Sequence, residues 1–87
     1  PLLVGNVYPM PAVDNTNLDV SVYQEGNLQV SLYDLAGSKV ADLMNISATA
    51  NTDYSIQMRL GFLSNGVYTI MITLDNERIF KQLIINK

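Results

Sequence analysis

Along most of its length the chain alternates apolar and polar residues with a period of two, in runs whose length suits strands. In NLDVSVY, Leu18, Val20 and Val22 share one face while Asp19, Ser21 and Tyr23 share the other. LQVSLYDL repeats the pattern with Leu28, Val30 and Leu32, and YSIQMRL repeats it through Tyr54, Ile56, Met58 and Leu60. Successive side chains of a strand point to opposite faces, so this spacing buries one face and leaves the other wet. No segment shows a convincing helical period.

Turn residues punctuate the runs. QEGN at 24–27 separates the first two, which therefore read as consecutive antiparallel strands. In LYDLAGSKV, Asp34 and Gly37 take the first and fourth positions of a type I turn, where Asp bonds forward to the backbone and Gly tolerates a left-handed geometry. A short strand at 39–44 follows, and the polar or small residues NISATANTD at 45–53 read as a loop. GVYTIMITL places Tyr68, Ile70, Ile72 and Leu74 on one face and the semi-apolar Val67, Thr69, Met71 and Thr73 on the other, which suits a central strand. Asp75 and Asn76 form a tight turn into ERIFKQLII. A two-residue loop there pairs Ile72 with Ile79 and a three-residue loop pairs it with Phe80, and the sequence leaves both open. With LLVGNVY at the start, about seven short strands are expected. That count predicts an all-β, immunoglobulin-like antiparallel β-sandwich, with a partly closed barrel as its competitor.

Composition limits what such a sandwich can do. The 87 residues suffice for one domain, expected to span 1–87, with little core to spare for a cavity. A net charge of −3 argues against a nucleic-acid partner, since phosphate binding needs a basic face. Cysteine and histidine are both absent, which removes thiolate and imidazole metal sites, the thiol nucleophile and the commonest general base. The eight acids fall singly, mostly beside turn residues, so solvated turn carboxylates are expected rather than a catalytic pair. The reading is therefore no enzyme, no cofactor, no metal and no small-molecule substrate. No segment is apolar for the ~20 residues of a membrane helix. PLLVG is too short for a signal-peptide core, and a chain that begins at Pro1 reads as an excised part of a longer precursor whose export signal lies upstream.

Four pieces stand in order along the chain: VYPMPA at 7–12, LYDLAGSKV at 32–40, GFLSNGVYTIMI at 61–72 and FKQLIINK at 80–87. This succession resembles the C-terminal sorting domain of the type IX, or Por, secretion system of the Bacteroidetes. In that family a Y-P-N-P-A opening precedes a D-x-x-G-K turn, an L-x-x-G-x-Y segment and a terminal strand with a lysine followed by aliphatics. Tyr8, Pro9, Pro11 and Ala12 match the opening, with Met10 in place of asparagine. Asp34 and Gly37 match the turn, with Ser38 inserted before Lys39. Leu63, Gly66 and Tyr68 match in full, and Lys81 with Leu83, Ile84 and Ile85 fits the terminal strand.

The same residues have structural uses. The prolines force Tyr8 and Met10 into extended conformations, Gly66 supplies a special backbone at a strand entrance, and Tyr68 suits a tyrosine corner that bonds back to upstream backbone. What the resemblance implies is a non-catalytic sorting signal. The passenger crosses the periplasm, and its folded C-terminal domain docks on the outer-membrane translocon. A sortase-like peptidase then commonly removes the domain, leaving the passenger on the outer-membrane surface or secreted. An apolar terminal strand at a sheet edge also invites homodimers. The alternatives are an immunoglobulin- or fibronectin-like adhesion module, disfavoured by the absence of Trp, and a surface-signalling module that keeps the same fold.

Overall fold

The computed structural model describes residues 2–8 and 14–87, and each alternating run becomes a strand in it. Seven strands follow in chain order: β1 (Leu2–Tyr8), β2 (Asn15–Val22), β3 (Gly26–Tyr33), β4 (Lys39–Ala48), β5 (Thr52–Arg59), β6 (Gly66–Leu74) and β7 (Glu77–Ile85). They form a three-stranded antiparallel sheet in the order β1-β2-β5 and a four-stranded one in the order β4-β3-β6-β7. No ladder joins the two sheets among the described residues, so the all-β sandwich forms and the partly closed barrel does not.

The core lies between the sheets, where the alternation places it. Leu18, Val20 and Val22 of β2 are buried, as are Leu28, Val30 and Leu32 of β3 and Ile70 and Ile72 of β6. Burial of each such side chain contributes roughly 1.5–3 kcal/mol, enough to fix which face of every strand turns inward. β6 sits between β3 and β7, and its second face, with Val67, Thr69, Met71 and Thr73, is half-buried. This is the central strand that its two-sided sequence leads one to expect.

Two sequence expectations need correction. β2 and β3 are consecutive but not paired: β2 lies between β1 and β5, β3 between β4 and β6, and the turn between them carries the chain from one sheet to the other. Their apolar faces are alike because both look into one core from opposite sides. The second correction concerns residues 45–53, of which only 49–51 form a turn. β4 continues to Ala48 and β5 begins at Thr52. Pairing with β3 overrides the polar composition there: Ile46 stands opposite Leu28 and Met44 opposite Val30, so the inward alternation persists. A bulge at Leu43 separates this stretch from the residues nearer the Asp34 turn.

The β6–β7 hairpin resolves the register. Ile72 pairs with Ile79 across a two-residue loop, and Asp75 takes the positive φ, 50°, that such tight hairpins require. In β7 the odd residues consequently face the core. Leu83 and Ile85 are buried, Ile79 and Lys81 are half-buried, and Phe80 is exposed on the outer face. Register puts Lys81 on the inward face, opposite Ile70.

Candidate functional site

An antiparallel up-and-down path puts every odd-to-even connection at one end of the sandwich. The β1–β2, β3–β4 and β5–β6 connections and the close of β7 therefore share an end, as the registers Tyr8 with Asn17, Tyr33 with Thr69 and Gly66 with Ile85 require. These are the places where the four sequence motifs fall. The fold thus gathers at one end residues spread from Tyr8 to Ile85. Lys81 lies apart, in the middle of β7, and Pro9 and Pro11 lie outside the described residues.

Each piece has its own local chemistry. Tyr8 closes β1 in extended conformation, half-exposed, and its hydroxyl donates to Asp19 Oδ2 at 3.2 Å. The Asp19 charge beside it raises the phenol above its ordinary range, with desolvation and that hydrogen bond adding to the effect. At the β3–β4 turn, Asp34 Oδ1 accepts from the N–H groups of Ala36 and Ser38, both at 3.0 Å. The Asp34 carbonyl accepts from Gly37 N–H at 3.1 Å, and Gly37 sits at φ 87°. That is the Asp-to-Gly turn expected from LYDLAGSKV. Beyond it, the Lys39 ammonium meets Asp42 at 2.8 Å.

The β5–β6 connection, residues 60–65, is the most heavily tied. Leu60 and Leu63 are buried at its two feet, and Leu63 N–H donates to Leu60 O at 3.0 Å. The N–H of Leu60 donates to Asp14 O at 2.7 Å, joining this loop to the approach into β2. The Tyr68 hydroxyl reaches back to Ser64 O at 2.9 Å, the tyrosine corner in full, with the ring only 9% exposed. Gly66, at φ 156°, holds a backbone that side-chain-bearing residues rarely adopt. No crowding dictates this glycine, since the nearest atom to an added Cβ is 3.8 Å away; the backbone does.

Lys87 completes the arrangement, and sequence reasoning does not single it out. Its N–H donates to Asn65 Oδ1 at 2.9 Å, and its ammonium donates to Leu63 O at 2.6 Å and to Gly61 O at 3.1 Å. Nothing in the spelling of FKQLIINK marks this role, because it depends on the meeting of residues 24 and 26 positions apart. The terminal-strand motif divides by face. Leu83 and Ile85 are core, while Ile84 is half-buried opposite Val67 on the outer side.

Among the described residues no group of three or more Asp or Glu side chains is placed to hold a metal ion. An open groove of about 710 Å³ does run over the outer face of the four-stranded sheet, between Tyr33, Leu35, Met71, Arg78 and Phe80. It is a shallow surface feature, with both of its carboxylates, Asp34 and Asp75, accepting backbone N–H groups. The family model described as the secretion system C-terminal sorting domain matches residues 6–86. A comparison with curated proteins gives no match.

Proposed function

The chain belongs to the secretion system C-terminal sorting domain family, the sorting signals of type IX secretion, and on that premise we propose how it is used. Residues 1–87 act as one sorting module of a longer secreted precursor. The passenger passes through the periplasm, the folded module docks on the outer-membrane translocon, and a sortase-like peptidase then separates it from a passenger bound for the surface or the medium. The module is ligand and substrate of that machinery and performs no catalysis. The observation that carries this reading is the family match across nearly the whole chain.

Two features support docking at and beside the end where the motifs collect. Tyr8, Asp34, Gly37, Leu63, Gly66 and Tyr68 shape that end. The second feature is the edge of the four-stranded sheet. In a two-residue hairpin the pair flanking the loop is a hydrogen-bonded one, so alternate residues of β7 from Glu77 onward bond to β6. The backbone groups of Arg78, Phe80 and Gln82 therefore point away from β6, toward the edge to which no described strand is paired in a ladder. A partner strand added there finds backbone donors and acceptors together with the exposed Phe80 ring. A homodimer through β7 would compete for the same edge, and the inward Lys81 charge opposes it.

A reporter fused to the whole chain should reach the surface of a type IX-competent cell, and one fused to residues 1–76 should accumulate in the periplasm. Equal delivery of the two fusions would sink the proposal.

A further inference from the structure

Phe62 is 64% exposed, at the middle of the loop between β5 and β6. A lone exposed aromatic is ordinary on a protein surface and by itself signals nothing. What distinguishes this one is the backbone beneath it. The carbonyls on both sides of Phe62, Gly61 O and Leu63 O, are held by the single Lys87 ammonium, at 3.1 and 2.6 Å. Ser64 O is held by Tyr68 and Asn65 Oδ1 by the Lys87 N–H. The buried Leu60 and Leu63 foot the loop on the core. Loop tips ordinarily have to be ordered when a partner binds, and that entropy is subtracted from affinity. Here the backbone on either side of the ring is already tied down in the free domain, while the ring it presents stays in water.

We propose that Phe62 is an anchor by which the domain is captured, inserted into an apolar pocket of a partner protein, and that Lys87 is the residue that positions it. Aromatic rings on rigid backbone dominate binding energy at protein interfaces because little rotamer freedom is lost for a large buried area. A membrane surface is the poorer occupant. Insertion of a single ring into lipid is weak without basic groups to meet anionic headgroups. The loop offers only Lys87, already engaged by carbonyls, and Arg59 at its root. Identification of the partner with the type IX machinery rests on the sorting reading above; the anchor and its clasp rest on the geometry alone.

The test fuses the full chain to a reporter in type IX-competent cells and follows the purified domain in parallel. Phe62→Ala should leave the melting temperature within about 2 °C of wild type, as expected of an exposed side chain, and reduce surface delivery about tenfold, a typical hot-spot loss. Phe62→Leu should recover part of that delivery. Tyr23→Ala, at a residue 53% exposed on the β2–β3 connection at the opposite end of the sandwich, should deliver normally. Lys87→Met should raise amide exchange over residues 61–66 several-fold and lower delivery, and Lys87→Arg should largely restore both. Normal delivery by Phe62→Ala, or an equal loss with Tyr23→Ala, overturns the anchor. A large fall in melting temperature for Phe62→Ala also overturns it, since the ring would then serve the fold. Unchanged exchange in Lys87→Met overturns the clasp. Delivery of the wild-type fusion tests the sorting reading separately: if that fusion stays inside, the reading and the named partner fall together.

Discussion

The Tyr68 hydroxyl donates to the carbonyl of Ser64, four residues upstream, across 2.9 Å. This bond closes the loop that enters β6 at the point where Gly66 turns through φ 156°. The ring behind the hydroxyl is buried, so Tyr68→Phe keeps the packing and removes only the bond. A net intramolecular hydrogen bond contributes about 1 kcal/mol, which in a domain of this size lowers the melting temperature by roughly 5 °C. Calorimetry of the two forms checks it. An unchanged melting temperature would mean that water replaces the tyrosine without loss.

The turn that follows β3 makes a parallel prediction. Asp34→Ala strips the acceptor from the N–H groups of Ala36 and Ser38. Gly37→Ala forces a side chain onto φ 87°, although the space beside it is empty. The second change should cost about 1–2 kcal/mol from backbone conformation alone. Denaturant unfolding should therefore show both variants destabilised with unchanged dependence on denaturant concentration. A neutral Gly37→Ala would contradict the left-handed geometry.

Charge near this turn gives a pH prediction. The hydrogen bond from Lys39 holds the Asp42 carboxyl below its usual range, against the desolvation that raises it, with the Lys39 charge and the Ser31 hydroxyl helping. A depressed carboxylate stabilises the fold above its unfolded value and loses that contribution as pH falls through its folded value. The partner shift has the opposite sign: Lys39 is raised, chiefly by the same hydrogen bond, and its contribution fades as pH rises through the folded lysine value. The window for the pair lies between those limits. Both groups are exposed, so its effect on overall stability should be small. Carboxyl titration followed by NMR should place Asp42 below an ordinary aspartate, and Lys39→Met should return it toward the ordinary value.

How far the sequence reveals all this depends on which physical signal each residue carries. Leu18, Val30 and Ile72 announce their burial because a strand with one wet face must alternate. Asp34 and Gly37 announce a turn because few residues tolerate its backbone. Residues 45–48 hide their strand: Asn45 and Ser47 face outward opposite Gln29 and Asn27, and only the pairing with β3 makes them regular. The partition into two sheets is hidden for a related reason, since β2 and β3 have like patterns whether they pair or face each other. Among the motif residues, Tyr68 could be read as a corner from its place before an apolar strand. Lys87 could not, because nothing local ties it to Gly61 and Leu63.

The last prediction concerns Lys81 and the open edge of β7. Antiparallel pairing of two β7 strands through their central residues, Phe80 of one against Gln82 of the other, places residue 81 on the two-fold axis. At the centre of β7 the backbone groups turned toward that edge are those of Phe80 and Gln82, so the two Lys81 residues form a non-hydrogen-bonded pair, the kind whose side chains approach most closely. Two ammonium groups then meet on the core-facing side, where the sheet already screens them from water. Charges turned inward at an edge are a known device against self-association. Lys81→Met should therefore let the domain dimerise, and Lys81→Glu alone should not, because it exchanges one like-charge pair for another. An equimolar mixture of wild type and Lys81→Glu should form the mixed dimer, in which a lysine faces a glutamate. Sedimentation velocity distinguishes these outcomes. Monomers throughout would show that something other than Lys81 keeps the edge apart, and dimers of Lys81→Glu by itself would show that pairing avoids the register centred on residue 81.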